Sequence, residues 1–210
     1  EHTKGWENMG GLFGVAKSED CVNDLFYGTD YHSHLGTRRG GMAVRNDQDF
    51  SRSIHNIENN YFRSKFESDL PKFHGHSGIG VISDTEPQPL IVGSHLGTFG
   101  IGTVVRLNNI EALEERALKK RQDFSETTGS GETNPNELVS MLICEEDSFE
   151  AGIEKAQQLI QGSCSILLLT QQGIYTARDR LGRTPIVIGK KAEGYAAASE
   201  SSAFPNLGYE

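Results

Sequence analysis

The chain has 210 residues, of which 36% are hydrophobic and 23% are charged, a composition typical of a globular domain with length enough for a substantial core. Its formal net charge of −9 argues against broad binding to nucleic acid or to an anionic membrane surface. Because no run of about 18 apolar residues occurs, we expect no membrane-spanning helix.

The spacing of the cysteines and the composition of the first residues indicate the cellular compartment that we expect. Cys21, Cys144 and Cys164 are widely spaced and form no C-x-x-C pair. This pattern predicts buried thiols in a reducing cytoplasm and gives no support for a disulfide framework or a zinc site. Residues 1–9 lack the apolar core of a signal peptide, and we interpret them as a leader or an expression remnant before one domain over residues 10–210.

The first half of this domain mixes strands and short helices. Residues 11–16 form an apolar run typical of a buried strand, and Asp20 can cap a helix that runs toward His34. A hairpin, a short amphipathic helix and three strands follow. We place them at residues 42–44 with 52–56, at 61–70, and at 77–82, 90–92 and 100–107.

The second half contains helices first and hairpin strands afterwards. Asn109 can cap a helix over residues 110–120, and the polar residues 125–135 predict a mobile loop. Because the strands come in hairpins and the helices in pairs, without βαβ alternation, we expect antiparallel sheets with helices outside them. The remaining helices are predicted at 136–144 and 148–160, and the strands at 164–170, 174–177, 184–188 and 195–199.

Three blocks near the C-terminus carry a family resemblance. They are residues 177–190, residues 161–165 and the sequence Ala198-Ser199-Glu200-Ser201. Together, in their order along the chain, they resemble class-II glutamine amidotransferases, and most closely the glutaminase domains of amidophosphoribosyltransferases, which carry R-D-x-x-G-x-R-P-L-x-L-G and A-S-E-S blocks. The resemblance extends over residues 9–209. It implies an α+β fold, the four-layer αββα sandwich of N-terminal-nucleophile hydrolases with antiparallel sheets.

The same resemblance places the family's nucleophile at Gly10. The chain reads Met9-Gly10-Gly11-Leu12-Phe13-Gly14 where the family has Cys-Gly-Ile/Val-x-Gly, with the cysteine as N-terminal nucleophile. A glycine offers no nucleophilic atom, and nine residues precede it, so that its amino group is not free to act as the base. Cys21 is predicted on the buried side of a helix, and we interpret it as a core residue.

At the other positions where the family binds glutamine or stabilises the oxyanion, this chain has residues that lack the required groups. Gly78 replaces the arginine that binds the glutamine carboxylate, and Pro135 replaces the aspartate that binds its ammonium group. Val104 and Val105 occupy the segment that supplies the oxyanion donors. The resemblance therefore implies that no catalytic residue is intact and that a vestigial pocket remains, lined by Gly36, Gly41, Gly78 and Pro135.

The segment from Gly36 to Gly41 has a second interpretation. Its glycines match a turn beside the family's pocket, but its backbone donors together with Arg38 and Arg39 could also bind an anion. It is not a P-loop, because the G-x-x-x-x-G-K-[ST] pattern is absent.

Histidines raise the question of a metal. His32 and His34 are two apart on a predicted helix and face different directions, whereas His74 and His76 could share one face of a strand. Without neighbouring cysteines or paired carboxylates, we expect no metal site, and the resemblance implies no cofactor in this domain.

Together these patterns indicate a glutaminase-like domain that is catalytically degenerate and serves a binding, regulatory or structural role. Two alternatives stay open: an active amidotransferase with a rewired site, and a stand-alone protein whose vacated pocket accepts another ligand. The resemblance implies a phosphoribosyltransferase-like domain after Glu210 and leaves a homo-oligomer open. We expect no nucleic-acid partner and no membrane partner.

Overall fold

The computed structural model describes residues 10–120 and 133–210, to which the structural statements below refer. The N-terminal segment 1–9 and most of the predicted loop 125–135 lie outside the described residues.

Ten strands account for the centre of this described part. They are β1 (Gly10–Lys17), β2 (Arg39–Arg45), β3 (Phe50–Asn56), β4 (Ser77–Ser83), β5 (Leu90–Ser94), β6 (Gly97–Leu107), β7 (Gly162–Thr170), β8 (Gly173–Ala177), β9 (Val187–Lys191) and β10 (Gly194–Ala198). The first sheet has the order β3-β2-β4-β1-β10-β9, and the second has the order β5-β6-β7-β8. Neighbouring strands are antiparallel in both sheets, as the hairpin pattern predicted.

Helices cover the outer face of each sheet. They are α1 (Val22–Tyr31), α2 (Phe62–Phe66), α3 (Ile110–Lys119), α4 (Pro135–Ile143) and α5 (Phe149–Leu159). A last short helix, α6 (Phe204–Leu207), follows β10. Among the helices of residues 10–120 and 133–210, none has both the length and the apolar character needed to cross a bilayer.

Three apolar clusters separate these layers. On the outer face of the first sheet, Leu25 and Phe26 of α1 pack with Phe13 of β1. On the outer face of the second sheet, the helices α3, α4 and α5 (Phe149–Leu159) bury Leu113, Leu138 and Ile153 against β6 and β7. The third cluster lies between the sheets and contains Leu12, Ile79, Val104 and Leu167. Alternate residues of one strand thus serve two different clusters, and the predicted four-layer αββα sandwich is confirmed.

A predicted helix cap and a predicted strand start are wrong, and side-chain contacts explain both. The carboxamide of Asn109 does not cap α3; its Nδ2 donates to Leu159 O and its Oδ1 accepts from Gln161 N, each at 2.9 Å. The strand predicted at 184–188 begins only at Val187. Its expected first residue, Thr184, instead donates its N–H to Asp179 and accepts from Ser165 Oγ, so this backbone belongs to a loop.

The helix after β1 is shorter than predicted. It begins at Val22, whose N–H donates to Asp20 Oδ1 at 2.9 Å, and it ends at Tyr31. A separate 3₁₀ turn over Ser33–Leu35 continues toward the glycine-rich segment. Cys21 is fully buried beneath this helix start, as the helical spacing predicted.

Candidate functional site

Gly10, at the predicted nucleophile position, is the first residue of β1. It pairs with Ser83 of β4, and a side chain at this position would point toward Val104 in the second sheet. A Cβ atom built on Gly10 would lie 2.9 Å from Ile82 O and 3.1 Å from Val104 Cγ2. Both distances are shorter than an ordinary van der Waals contact, so a side chain at this position requires its neighbours to move.

Val104 and Val105, at the predicted oxyanion positions, point in opposite directions. Val104 is 9% exposed and belongs to the cluster between the sheets, whereas Val105 packs against the cluster beneath the helices of the second sheet. This division follows from the two-residue period of a strand. Only Val104 therefore faces Gly10, and it presents methyl groups there.

The space beside Gly10 is very small. The cavity measures about 20 Å³, and its lining consists of Gly10, Ile82, Ser83, Thr85, Gln88, Thr103, Val104 and Val105. A cavity of this size holds roughly one water molecule. The lining contributes hydroxyl, amide and methyl groups, and a cavity of this volume is too small for a glutamine molecule.

Gln88 is one of the residues that line this cavity. Its side chain is buried, with 4% exposure, and makes two hydrogen bonds to one residue of β6. Gln88 Oε1 accepts from Thr103 N at 2.7 Å, and Gln88 Nε2 donates to Thr103 O at 3.1 Å. The backbone of Gln88 also covers Gly41, where a Cβ atom would collide with the Gln88 carbonyl oxygen. The glycine at position 41 thus permits a close backbone approach.

Pro135 lies on the other side of β6, at the first position of α4. Asn134 caps this helix, because its Oδ1 accepts from Asn136 N at 2.9 Å. Thr103 Oγ1 donates to Asn136 Oδ1 and joins the helix start to the strand. Asn136 Nδ2 is buried without a hydrogen-bond partner among the described residues. Proline fits the helix start well, since the first turn has no intrahelical use for its missing N–H, but it offers no carboxylate for an ammonium group.

Gly78 does not lie near Gly10, contrary to the prediction that it lines the same pocket. It pairs with Val15 and Val44, five residues along β4 from Ser83. That separation corresponds to about 17 Å along a strand. A Cβ atom on Gly78 would meet Leu25 Cδ2 of α1 at 2.7 Å, on the outer face of the sheet. Ser83, which sequence reasoning missed, is the β4 residue that stands opposite Gly10.

Gly36 does approach this end of the sheet. A Cβ atom there would lie 2.9 Å from Ile82 Cγ2 and 3.4 Å from Asp84 Oδ1. Of the four predicted pocket residues, the structure therefore places Gly36 and Gly41 along the β2–β4 end near Gly10, puts Pro135 behind β6, and separates Gly78 from the rest.

The predicted anion loop already binds a carboxylate of the protein itself. Asp84 Oδ1 accepts from Thr37 N at 2.5 Å and from Arg38 N at 3.2 Å. The Arg38 side chain lies beside Glu58, with Nε 3.7 Å from Oε1. Arg39 is the first residue of β2 and pairs with Ser83. An external anion would have to displace Asp84 to use the backbone donors of this loop.

The thiols are unsuited to nucleophilic chemistry at neutral pH. Burial raises the pKa of both Cys21 and Cys164 to about 12, and burial also raises the pKa of Cys144. The thiolate is the reactive form, and its population at neutral pH falls as the pKa rises. Cys21 is therefore a core residue, as its position in the sequence indicated.

Three of the four histidines considered for a metal site have structural partners. His32 Nδ1 lies 2.7 Å from Gly28 O, and His32 Nε2 accepts from Glu200 N at 3.1 Å, which defines a neutral ring protonated at Nδ1. Burial lowers the pKa of His32 and keeps the ring neutral. His34 Nε2 lies 2.9 Å from Glu200 Oε2, and His76 Nδ1 lies 3.1 Å from Glu19 O. Within residues 10–120 and 133–210, no group of three or more metal-ligating side chains is arranged to hold a metal ion.

Comparison with known proteins identifies the family to which this chain belongs. A family model for a glutamine amidotransferase domain matches residues 74–206, which is more than half of the chain. The chain is similar to the amidophosphoribosyltransferase of Methanocaldococcus jannaschii, with 26% identity over 214 residues that cover 96% of this chain and 44% of the relative. The corresponding enzyme of Synechocystis is 27% identical, over 96% of this chain and 43% of its own length.

Solved structures show the same fold. The glutamine phosphoribosylpyrophosphate amidotransferase of B. subtilis, complexed with ADP and GMP, superposes with a TM-score of 0.83 at 22% identity. The match covers 95% of this chain and 44% of that chain. This chain thus spans somewhat less than half the length of the relatives that it matches.

Proposed function

Because this chain belongs to the glutamine amidotransferase domain family, we propose that it is the glutaminase-like domain of an amidophosphoribosyltransferase-type protein and that it no longer hydrolyses glutamine. The observation that carries this proposal is the closed space between Gly10 and Val104, which holds roughly one water molecule. A glutaminase needs a thiolate at this position and room for a glutamine side chain beside it.

The chemical requirements of the reaction support the proposal. Attack on an amide develops negative charge on its oxygen, and donors aimed at that oxygen provide a large part of the rate enhancement. At Gly10 the facing group is the apolar side chain of Val104. The amide of Gln88, which lines the cavity, is already bonded to Thr103. Neither a nucleophile nor a free oxyanion donor is thus offered to a substrate by these groups.

The alternative of a rewired amidotransferase has less support. It assigns the nucleophile to Cys21 or a catalytic part to His76. The Cys21 thiol is fully buried with a pKa raised by burial to about 12, and His76 Nδ1 already contacts Glu19 O. Both residues are also near Gly75, at the opposite end of β4 from Gly10, because Cys21 N donates to Gly75 O.

A retained role in binding, regulation or structure is the remaining function that we propose. The relatives are more than twice as long as this chain, and a phosphoribosyltransferase-like domain after Glu210 would be the partner of such a module. In that arrangement the αββα sandwich would act through its surfaces and its stability, since its inner pocket is closed.

A glutamine hydrolysis assay tests the loss of chemistry. The purified chain is incubated with L-glutamine, and glutamate release is compared with that of a chain that starts at residue 10 and carries Gly10→Cys. We expect neither protein to exceed the buffer background, because a thiol alone restores neither the space nor the donors. Glutamate release by the native chain that requires the folded protein would refute the proposal.

A further inference from the structure

A second and much larger cavity lies at the opposite end of the sandwich. It measures about 380 Å³ and is formed where the β2–β3 turn approaches the starts of β6 and α5 and the β7–β8 turn. Arg45, the last residue of β2, lines it, whereas Arg39 at the other end of the same strand pairs with Ser83, the partner of Gly10. Six residues of strand correspond to about 20 Å, so the two cavities are separate.

Arg45 brings a positive charge to this cavity. Its Cζ lies 5.6 Å from the centroid of the Phe50 ring, which holds the guanidinium by a cation–π contact. Among the described residues, its buried Nε has no hydrogen-bond partner. A guanidinium is well suited to planar, bidentate recognition of a carboxylate. Arg45, which lines the cavity and whose Nε lacks a partner among the described residues, is therefore a candidate ligand-binding group.

Asp49 brings a negative charge to the same cavity. It ends the turn between β2 and β3, where Asn46 Oδ1 accepts from Asp49 N at 2.8 Å and Asn46 N donates to Asp49 O at 3.1 Å. Its neighbour Phe50 pairs directly with Arg45. The turn therefore places Asp49 next to the residue that pairs with Arg45, and both charged residues line the same cavity.

The rest of the lining combines polar and aromatic groups. Thr98, Gln171 and Gln172 contribute a hydroxyl and two carboxamides, and Phe149 contributes an aromatic surface. A volume of 380 Å³ is within the range of about 300–1,000 Å³ that is usual for small-molecule sites. The carboxylate of Asp49 would repel a purely anionic ligand, and the guanidinium of Arg45 would repel a purely cationic one. A zwitterion offers a charge of the opposite sign to each of these two side chains.

We propose that this cavity binds a free α-amino acid. The carboxylate of the ligand would pair with Arg45, its ammonium group with Asp49, and its side chain would lie against Phe50, Phe149 and the glutamine amides. The site is distinct from the closed pocket at Gly10 and would make the domain a sensor of amino acids rather than a consumer of glutamine. It goes beyond the proposed loss of glutaminase chemistry and does not depend on it.

Thermal-shift measurements with individual L-amino acids test the site. Each is added at about 10 mM, since a ligand that binds the folded state at a millimolar Kd then raises the melting temperature measurably. Acetate and methylamine serve as probes of the separate charges. We expect at least one amino acid to raise the melting temperature, and acetate and methylamine to have no comparable effect.

Variants then assign the binding to the cavity by calorimetric titration of the best amino acid. Arg45→Gln and Asp49→Asn should each weaken its affinity by about tenfold or more, which corresponds to the loss of one charge-assisted contact. Arg38→Gln, which removes an exposed arginine at the other end of β2, should bind like the wild type. Asp49 is exposed in a turn, so Asp49→Asn keeps the test valid even if Arg45→Gln fails to fold.

Three results would overturn the proposal. They are the absence of a shift with every amino acid, equal binding by the wild type and Asp49→Asn, and an acetate shift as large as that of the best amino acid. Glutaminase activity is measured separately, by glutamate release, so that failure of this proposal and failure of the proposed loss of chemistry are distinguishable.

Discussion

Gly10 of β1 and Val104 of β6 face each other between the two sheets, and the absence of a side chain at Gly10 leaves room for the valine methyl groups. A Cβ atom on Gly10 would lie 3.1 Å from Val104 Cγ2, while the β4 backbone at Ile82 O limits the space from the side, at 2.9 Å. The valine methyl groups occupy the volume that a side chain at position 10 would need. The sizes of the side chains at positions 10 and 104 are therefore coupled through packing.

This coupling predicts the stability of substitutions at Gly10. Gly10→Ala should lower the free energy of unfolding by about 1–3 kcal/mol, because overpacking in a filled core forces its neighbours to shift. Val104→Ala should offset part of this cost, so that the double variant is more stable than the sum of the single effects predicts. Urea denaturation of the four proteins measures the coupling.

Gly93 provides the matched control for that experiment. It is a strand glycine in β5, and a Cβ atom built there would meet no atom within 4 Å. Gly93→Ala should change the free energy of unfolding by no more than about 0.5 kcal/mol. If Gly10→Ala were equally harmless, the space beside Gly10 would be open and the pocket would not be closed by packing.

The second prediction concerns Gln88. Gln88→Ala should cost about 2–4 kcal/mol of unfolding free energy, because it leaves the buried N–H and C=O of Thr103 without their side-chain partners. Gln157→Ala is the control, since Gln157 also donates to a backbone carbonyl, that of Arg178, but at an exposed position. Similar losses for the two variants in urea denaturation would contradict the structural role given to Gln88.

The third prediction is a pH dependence that originates from His32. Burial lowers the pKa of His32 in the folded chain below its value in the unfolded chain, which is about 6.5. As the pH falls below that value, the unfolded state binds a proton that the folded state does not, and stability is lost. Above it, both states are neutral and the stability is fully present.

Comparison of the wild type with His32→Gln isolates this contribution. The variant lacks the titrating ring, so we expect it to lose less unfolding free energy than the wild type between about pH 7 and about pH 5. Urea denaturation at both pH values gives the two differences. Equal losses for the two proteins would show that His32 does not cause the acid sensitivity.

The fourth prediction concerns thiol reactivity. Because burial raises the pKa of Cys21 and Cys164 to about 12, neither should be alkylated by iodoacetamide in the native protein near pH 8. In denaturant, both should react fully. Mass spectrometry of tryptic peptides gives the modified fraction at each site. Rapid native modification of Cys21 would reopen the alternative of a rewired amidotransferase.

Local patterns were enough to predict much of the fold. The β7–β8 hairpin with its Gln171-Gln172 turn and the buried position of Cys21 were all predicted from the sequence. These features depend on residue spacing and on turn chemistry, which act over a few neighbouring residues. The absence of a nucleophile at Gly10 also followed from residue type alone, once the family resemblance was available.

Local patterns could not predict hydrogen bonds between side chains and partners that are far away in the sequence. Asn109 looked like a helix cap, but its carboxamide bonds to residues 159 and 161, some fifty positions away. Gly78 was assigned to the pocket by motif, but the register of β4 against β1 places Ser83 there. Register is determined by pairing between strands, and short motifs rich in glycine specify it weakly.

By itself, then, the sequence indicated antiparallel sheets with helices outside them and the succession of strands and helices, because these depend on residue identity and local periodicity. The four-layer sandwich and the assignment of Gly10 to the nucleophile position came from the family resemblance. Only the tertiary structure decided that the space beside Gly10 is closed and that Arg45 and Asp49 line an open cavity at the other end. Both sites are assembled from segments distant along the chain, and their volumes depend on how two sheets pack against each other.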